Sequence, residues 1–253
     1  MILIFLREFI YYLFPFSWSD PVEPRFRDVG DGFATEISAV SCTPINPSRN
    51  FTNYIVASFW GSNCVKLFSP ESNLTVICES PNLLALPRSL LLHNFGQSSN
   101  TKDPDYHPHL LAGLTDGTVV SYAFKNKELV DQSIFSLGDL PVLLNACQVD
   151  SRKTVFACGS RASILFWEKD TLRHSPVILK VCWNMEYDWM DYFDALWRCC
   201  VQNIAAASRL NTSSFSSCLV LATPNGLLIG NVSDIDKLHI RSVSVKMEDV
   251  CQC

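Results

Sequence analysis

Five histidines are the first side chains to test for chemistry: His93, His107, His109, His174 and His239. None sits in a His-Glu-x-x-His frame, and the chain has no Gly-rich phosphate loop and no Gly-x-Ser-x-Gly elbow. His107 and His109 flank Pro108 in a polar stretch and read as solvated loop imidazoles rather than metal ligands. Asp188, Asp191 and Asp194 recur every three residues, which would line one helix face with carboxylates, ordinarily a solvated face. Asp234 and Asp236 suit a surface turn. Eleven cysteines, at positions 42, 64, 78, 147, 158, 182, 199, 200, 218, 251 and 253, contain no Cys-x-x-Cys pair and no zinc spacing. Cys42, Cys64, Cys158 and Cys218 fall in apolar strands, where a reduced thiol behaves as a small buried hydrophobe, so the expected setting is intracellular. No nucleophile is paired with a base here. The expectation is a non-enzyme with no catalytic residue, no metal and no cofactor.

Charge narrows the function further. Lys and Arg number 20 against 25 Asp and Glu, for a net charge of −5. A duplex-DNA binder needs a basic surface to displace counterions from phosphates, so any nucleic-acid association is expected to pass through partners. The apolar share of 48% is ample for a core.

The elements that would position any site announce themselves as a repeat. Residues 55–68, 110–124, 155–167 and 219–230 each read as an apolar strand, a tight polar turn and a second apolar strand. Aligned on Ala57, Ala112, Ala157 and Ala222, they step by 55, 45 and 65 residues. Four-stranded units repeating every ~40–50 residues predict β-propeller blades. The expected blades begin at Glu36, at Pro87, at Val142 and at Asn203. The third is read as Val142–Val149, Thr154–Cys158, Ser163–Trp167 and Val177–Leu179. Asp116-Gly117 suits a primed hairpin turn, and Pro224-Asn225-Gly226 marks the equivalent turn in the last blade. The fold class expected is all-β: an incomplete WD-type propeller of about four four-stranded blades.

Two segments stand outside that pattern. Residues 181–200 hold three of the six tryptophans, and removing them turns the 65-residue step into 45, so they read as an insertion. Trp189, Tyr192, Phe193, Leu196 and Trp197 follow i, i+3, i+4 spacing, compatible with a short amphipathic helix or with a loop packed on its own blade. Residues 1–18 are apolar and aromatic apart from Arg7 and Glu8. They lack the basic start and cleavage site of a signal peptide and are short for a membrane span, so they read as a buried strand or helix or as a start codon placed in non-native sequence, with a membrane anchor as the other reading. Residues 19–35 carry Pro21, Pro24, Gly30 and Gly32 and read as a linker. The domain reading is therefore 1–35 outside the repeat, 36–245 partial propeller, and 246–253 the start of a following segment.

The wording of the repeats points further. Residues 87–91 with 110–117, residues 136–142 with 155–158, and Ile235-Asp-Lys-Leu-His-Ile-Arg-Ser-Val243 resemble the large subunit family of the damaged-DNA-binding protein, adaptors of cullin-four ubiquitin ligases. The splicing factor 3b and cleavage/polyadenylation specificity large subunits share that architecture. Such proteins bear three propellers, and the likeness here spans about Glu36 to Cys253 and falls mainly in the second. The resemblance implies a nuclear protein-interaction scaffold in DNA-damage recognition, with a cullin scaffold and substrate-receptor proteins as partners and no membrane. A scaffold of pre-mRNA splicing or 3′-end processing is the alternative. A membrane-tethered or secreted β protein is a third class, resting on residues 1–18 and on the Asn-x-Ser/Thr triplets at Asn50, Asn73, Asn211 and Asn231. Glu36 and Trp60 match a Glu and a Trp of the family's second propeller, which implies partner-binding positions; packing of Trp60 between blades is the other reading.

Overall fold

The structure is a computed structural model that describes residues 3–6, 9–12, 27–28, 36–45, 51–70, 74–149, 151–180, 203–210, 218–224, 226–233 and 239–245. A small sheet at the N-terminus comprises β1 (Leu3–Leu6), β2 (Phe9–Tyr12) and β3 (Arg27–Asp28). Four larger antiparallel sheets follow. Blade 1 is β4 (Ile37–Ser41), β5 (Ile55–Phe59), β6 (Ser62–Ser69) and β7 (Thr75–Glu79); blade 2 is β8 (Pro87–Asn94), β9 (Pro108–Leu114), β10 (Thr118–Lys125) and β11 (Glu128–Ser136). Blade 3 is β12 (Leu143–Val149), β13 (Arg152–Cys158), β14 (Ser163–Glu168) and β15 (Thr171–Pro176). After β16 (Ile178–Lys180), blade 4 is β17 (Ala206–Leu210), β18 (Cys218–Thr223), β19 (Gly226–Ser233) and β20 (His239–Val245). Each blade is a meander whose first strand lies at one edge, and the first strands β4, β8 and β12 line a common cavity of about 500 Å³. This is an incomplete propeller of four-stranded blades, as the repeat anticipates.

Three expectations change. The outer strand of blade 3 is β15, not residues 177–179: Thr171–Pro176 pairs along β14 from Glu168 back to Ser163. Polar β15 reads TLRHSP with only Leu172 buried, so its sequence hides a strand that turns mostly to water. Ile178–Lys180 instead joins blade 4, running parallel to β20 in the register Ile178↔His239 and making that sheet five-stranded. The primed turns lie elsewhere as well. Asn126 and Lys127 both have positive φ between β10 and β11, as do Lys169 and Asp170 between β14 and β15. At Asp116-Gly117 only the glycine is left-handed (φ 85°), while the Asp116 carboxylate accepts the Thr118 N–H at 3.0 Å. The helix considered for 181–200 lies outside the described residues.

Packing between blades follows from two-sided strands. Along β9, Leu110, Ala112 and Leu114 turn toward blade 1, while Leu111 turns toward blade 3. Along β13, Val155 and Ala157 face blade 2 and Phe156 and Cys158 face blade 4. Successive strand residues point to opposite sheet faces, so a strand apolar at every position needs a layer on both sides. That is why these strands read as continuous apolar runs. At roughly 1.5–3 kcal/mol for each large side chain withdrawn from water, the blade interfaces dominate stability.

The blade 2–blade 3 interface also holds imidazoles, which corrects the solvated reading of His107 and His109. His93 and His109 are cross-strand partners in β8 and β9, and both are buried. Phe95 lies edge-on to both, at 4.9 and 5.5 Å, and Trp167 of β14 stacks on His107 at 4.4 Å. Lys153 spans the interface to donate to the Gly96 carbonyl at 2.7 Å. Burial drives the pKa of His93 down to about 4, with Lys153 and His109 adding; burial likewise brings His109 down to about 4. Imidazoles whose folded pKa lies below the unfolded value near 6.5 lend their full stability above that pH and lose it as pH falls toward 4. The unfolding free energy from urea titration should therefore be flat between about pH 7 and 8 and decline between pH 6.5 and 4, by up to roughly 3 kcal/mol for each imidazole. His93→Leu should flatten part of that decline, and an unchanged pH profile in that variant would contradict this assignment.

Candidate functional site

Blade register places particular loops at one end of the propeller. β4 begins at Ile37 opposite Phe59, β8 at Pro87 opposite Leu114, β12 at Leu143 opposite Cys158, and β17 at Ala206 opposite Ala222. The turns joining the second and third strands of each blade therefore share an end with the connectors that lead from one blade to the next. Glu36 and Trp60 both lie there. The Trp60 N–H donates to the Glu36 carbonyl at 2.7 Å, just as Thr115 N–H donates to Leu86 O at 3.0 Å one blade on. Gly61, at φ 82°, turns the chain into β6 immediately after Trp60. The indole is 45% exposed, so packing between blades does not absorb it, and Glu36 is exposed beside it in the backbone ladder.

Other apolar side chains share this end. Leu84, 83% exposed, lies in the connector from blade 1 to blade 2, and Leu140 lies in the next connector. Leu227 is the second residue of β19, after the corresponding turn of blade 4, and is also exposed. Sequence reasoning missed all three. The available signal was positional, since Leu84 and Leu140 stand in connectors where no core needs them. A row of exposed hydrophobics among polar turns is the surface signature of protein docking.

The surface is held rigid by backbone and hydroxyl contacts that run from blade to blade. Ser80 closes blade 1: the Val65 N–H donates to its Oγ at 2.9 Å, and its own N–H donates to Val65 O at 2.8 Å. Between blades 2 and 3, the Ser160 hydroxyl donates to the Asp139 carboxylate at 2.5 Å and accepts the N–H groups of Asp139 and Leu140. That hydroxyl holds the Asp139 carboxyl below the usual carboxylate range. Arg161 N–H donates to Leu137 O at 2.9 Å, Leu137 N–H to Gly117 O at 2.8 Å, and Val142 N–H to Leu114 O at 3.1 Å.

Among the described residues no three His, Cys, Asp or Glu side chains gather in a metal-binding group. The described cysteines are free thiols, and burial pushes Cys147 up to about 11 and Cys158 up to about 12, so they stay protonated at neutral pH. Cys42 lies one residue past β4 rather than within a strand, and it lines the axial cavity with Ser41, Arg88, Ser89 and Asn145. No helix among the described residues is long and apolar enough to cross a membrane.

The fold is an incomplete WD-type β-propeller, and a propeller fold by itself assigns no function. Residues 1–232 match the family model of the RSE1/DDB1/CPSF1 second beta-propeller, and the chain belongs to that family. It is 28% identical over 230 residues to DNA damage-binding protein 1 of Solanum lycopersicum and 26% identical over 229 residues to DNA damage-binding protein 1a of Arabidopsis thaliana, each covering 86% of this chain. It is 24% identical over 212 residues to DNA damage-binding protein 1 of Drosophila melanogaster, covering 83% of this chain. The matched part spans only 16–18% of the length of these relatives.

The rigidity of the connector end can be tested at Gly117. A Cβ there would strike the Gly138 carbonyl oxygen, backbone against backbone, at a positive φ that disfavours any side chain. Gly117→Ala should lower the unfolding free energy by about 2 kcal/mol or more in urea titration. Asp116→Ala, which removes one exposed hydrogen bond, should cost under about 1 kcal/mol.

Proposed function

We propose that this propeller is a non-enzymatic docking module of a nuclear cullin-four ubiquitin-ligase adaptor, serving DNA-damage recognition. The observation that carries the proposal is Trp60: a large indole held half out of the protein, at a backbone position clamped by Glu36 and turned by Gly61. A tryptophan presented on a rigid turn gives much contact area at little entropic cost, which is the character of an interface hot spot. Glu36 adds a carboxylate at the rim, where charge steers an approaching partner more than it adds affinity. Leu84 and Leu140 extend the apolar surface across two connectors. The proposed partner on this face is the cullin scaffold, and substrate receptors join through the same adaptor. The net charge of −5 supports contact with nucleic acid through those receptors rather than by this chain. The role is mechanical: the propeller holds two proteins at a fixed distance and performs no bond chemistry.

Immobilised chain should capture the N-terminal region of a cullin-four scaffold in a pull-down. Trp60→Ala should weaken capture at least tenfold while leaving the circular dichroism spectrum and melting temperature unchanged; Glu36→Lys should slow association more than it speeds dissociation. Undiminished capture by the Trp60 variant, or no capture by monodisperse, folded wild-type chain, would refute the proposal.

A further inference from the structure

Blade 1 is covered on a side where none of the four blades stands. Along β5, Val56 turns toward blade 2, whereas Ile55, Ala57 and Phe59 turn the other way, and Phe68 of β6 joins them. These four side chains are 0–3% exposed. Ile37, Val40 and Leu74 pack among them, yet all three belong to blade 1 itself and cannot roof its face. The far flank of the propeller behaves differently. On β18, Leu219 and Leu221 turn toward blade 3, while the alternate residues Val220 and Ala222 are only half-buried. A sheet face that withdraws an isoleucine and two phenylalanines from water requires a second layer against it.

The N-terminal strands have the form of such a layer. β1, β2 and β3 pair antiparallel in the order β1-β2-β3, with registers Leu3↔Tyr12 and Tyr12↔Arg27. Every blade has this meander for its three outer strands. Chain order agrees as well. β3 is separated from β4, the first strand of blade 1, by the eight residues 29–36; β7 is separated from β8 by the seven residues 80–86, and β11 from β12 by the six residues 137–142. So β3 stands to blade 1 as β7 stands to blade 2. We infer that β1, β2 and β3 supply the three outer strands of a further blade, seated on the outward face of blade 1 against Ile55, Ala57, Phe59 and Phe68.

The sequence of the segment suits that seat. β1 and β2 read LIFL and FIYY, and the charged pair Arg7-Glu8 falls between the two strands rather than within either. A two-stranded apolar ribbon is marginal alone in water, and an apolar blade face left bare invites aggregation. Each covers the other. The family match, which includes these strands, places them in propeller sequence. On this reading the three N-terminal strands belong with the repeat.

Photo-crosslinking in the full chain tests the placement. With benzoylphenylalanine replacing Ile10, irradiation should yield intramolecular adducts in peptides covering residues 55–68, with the chain sedimenting as a monomer. Adducts confined to blades 2–4 would overturn the inference, as would adducts to 55–68 formed only between two chains of a dimer. A variant lacking residues 1–18 gives a second readout. Carbene labelling of Phe59 and Phe68 should rise at least fivefold while Leu111 and Phe156, in the other blade interfaces, stay protected. Unchanged labelling of Phe59 and Phe68 in that variant would also overturn it, and if the deletion unfolds the chain, the crosslink in the intact protein decides.

Discussion

Burial on both faces of the middle strands is the constraint from which the rest of this structure follows. Ile55–Phe59 and Pro108–Leu114 are buried at every position, and Thr154 through Cys158 are as well. A sheet made of such strands has no face to give to water, so a blade is not a stable object by itself and must be sandwiched by others. Edge-to-edge growth would leave these faces bare; face-to-face stacking around an axis covers them. The short connectors then have one job, to carry the chain from the outside of one blade to the inside of the next. They lie together at one end because every first strand starts there. Where they cross a neighbouring turn the backbones nearly touch. A Cβ at Gly113 would strike the Val142 carbonyl, and one at Gly117 would strike that of Gly138, so glycine is required at both.

The same constraint decides where function can reside. Groups that could do chemistry are drawn into the interfaces and neutralised there: His93 and His109 lose basicity by burial, and Cys147 and Cys158 lose acidity by it. What remains available is what the packing excludes, namely turns, connectors and the water-facing residues of the outer strands. Trp60 and Leu84 are exposed not because the core lacks room but because they stand beyond strand ends, where neither blade face reaches. A fold whose interior is a stack of apolar sheets thus offers surfaces at its turns beside the cavity between the first strands, which fits membership in a propeller scaffold family.

Legibility in the sequence varied with how apolar an element is. The hairpins β5–β6, β9–β10, β13–β14 and β18–β19 could be read directly, since an apolar run, a polar turn and a second apolar run have few other uses. Outer strands were harder, because half their residues face water. β15 reads TLRHSP and was displaced in favour of the more apolar Val177–Leu179, which the structure gives in part to the next blade. His107 and His109 looked like loop residues because Pro108 separates them, yet Pro108 is the first residue of β9 and opposes Asn94. At the candidate site, Glu36 and Trp60 were reachable only through resemblance to a family. Their proximity depends on the Ile37↔Phe59 pairing, which residue spacing alone does not encode.

Taken by itself, the sequence determined the type of unit and its repetition along the chain. Those properties are local: alternation and turn residues specify a hairpin, and repetition specifies a blade. Tertiary structure alone decided which of the apolar residues remain outside and what lies beside them. Trp60 and Phe59 are adjacent large aromatic residues, one 45% and the other 3% exposed, a difference set by position rather than by residue type. The difference arises because Phe59 is the last residue of a strand pressed between layers and Trp60 the first beyond it. Exposure is a property of the stack of blades, and the stack forms only when distant segments meet.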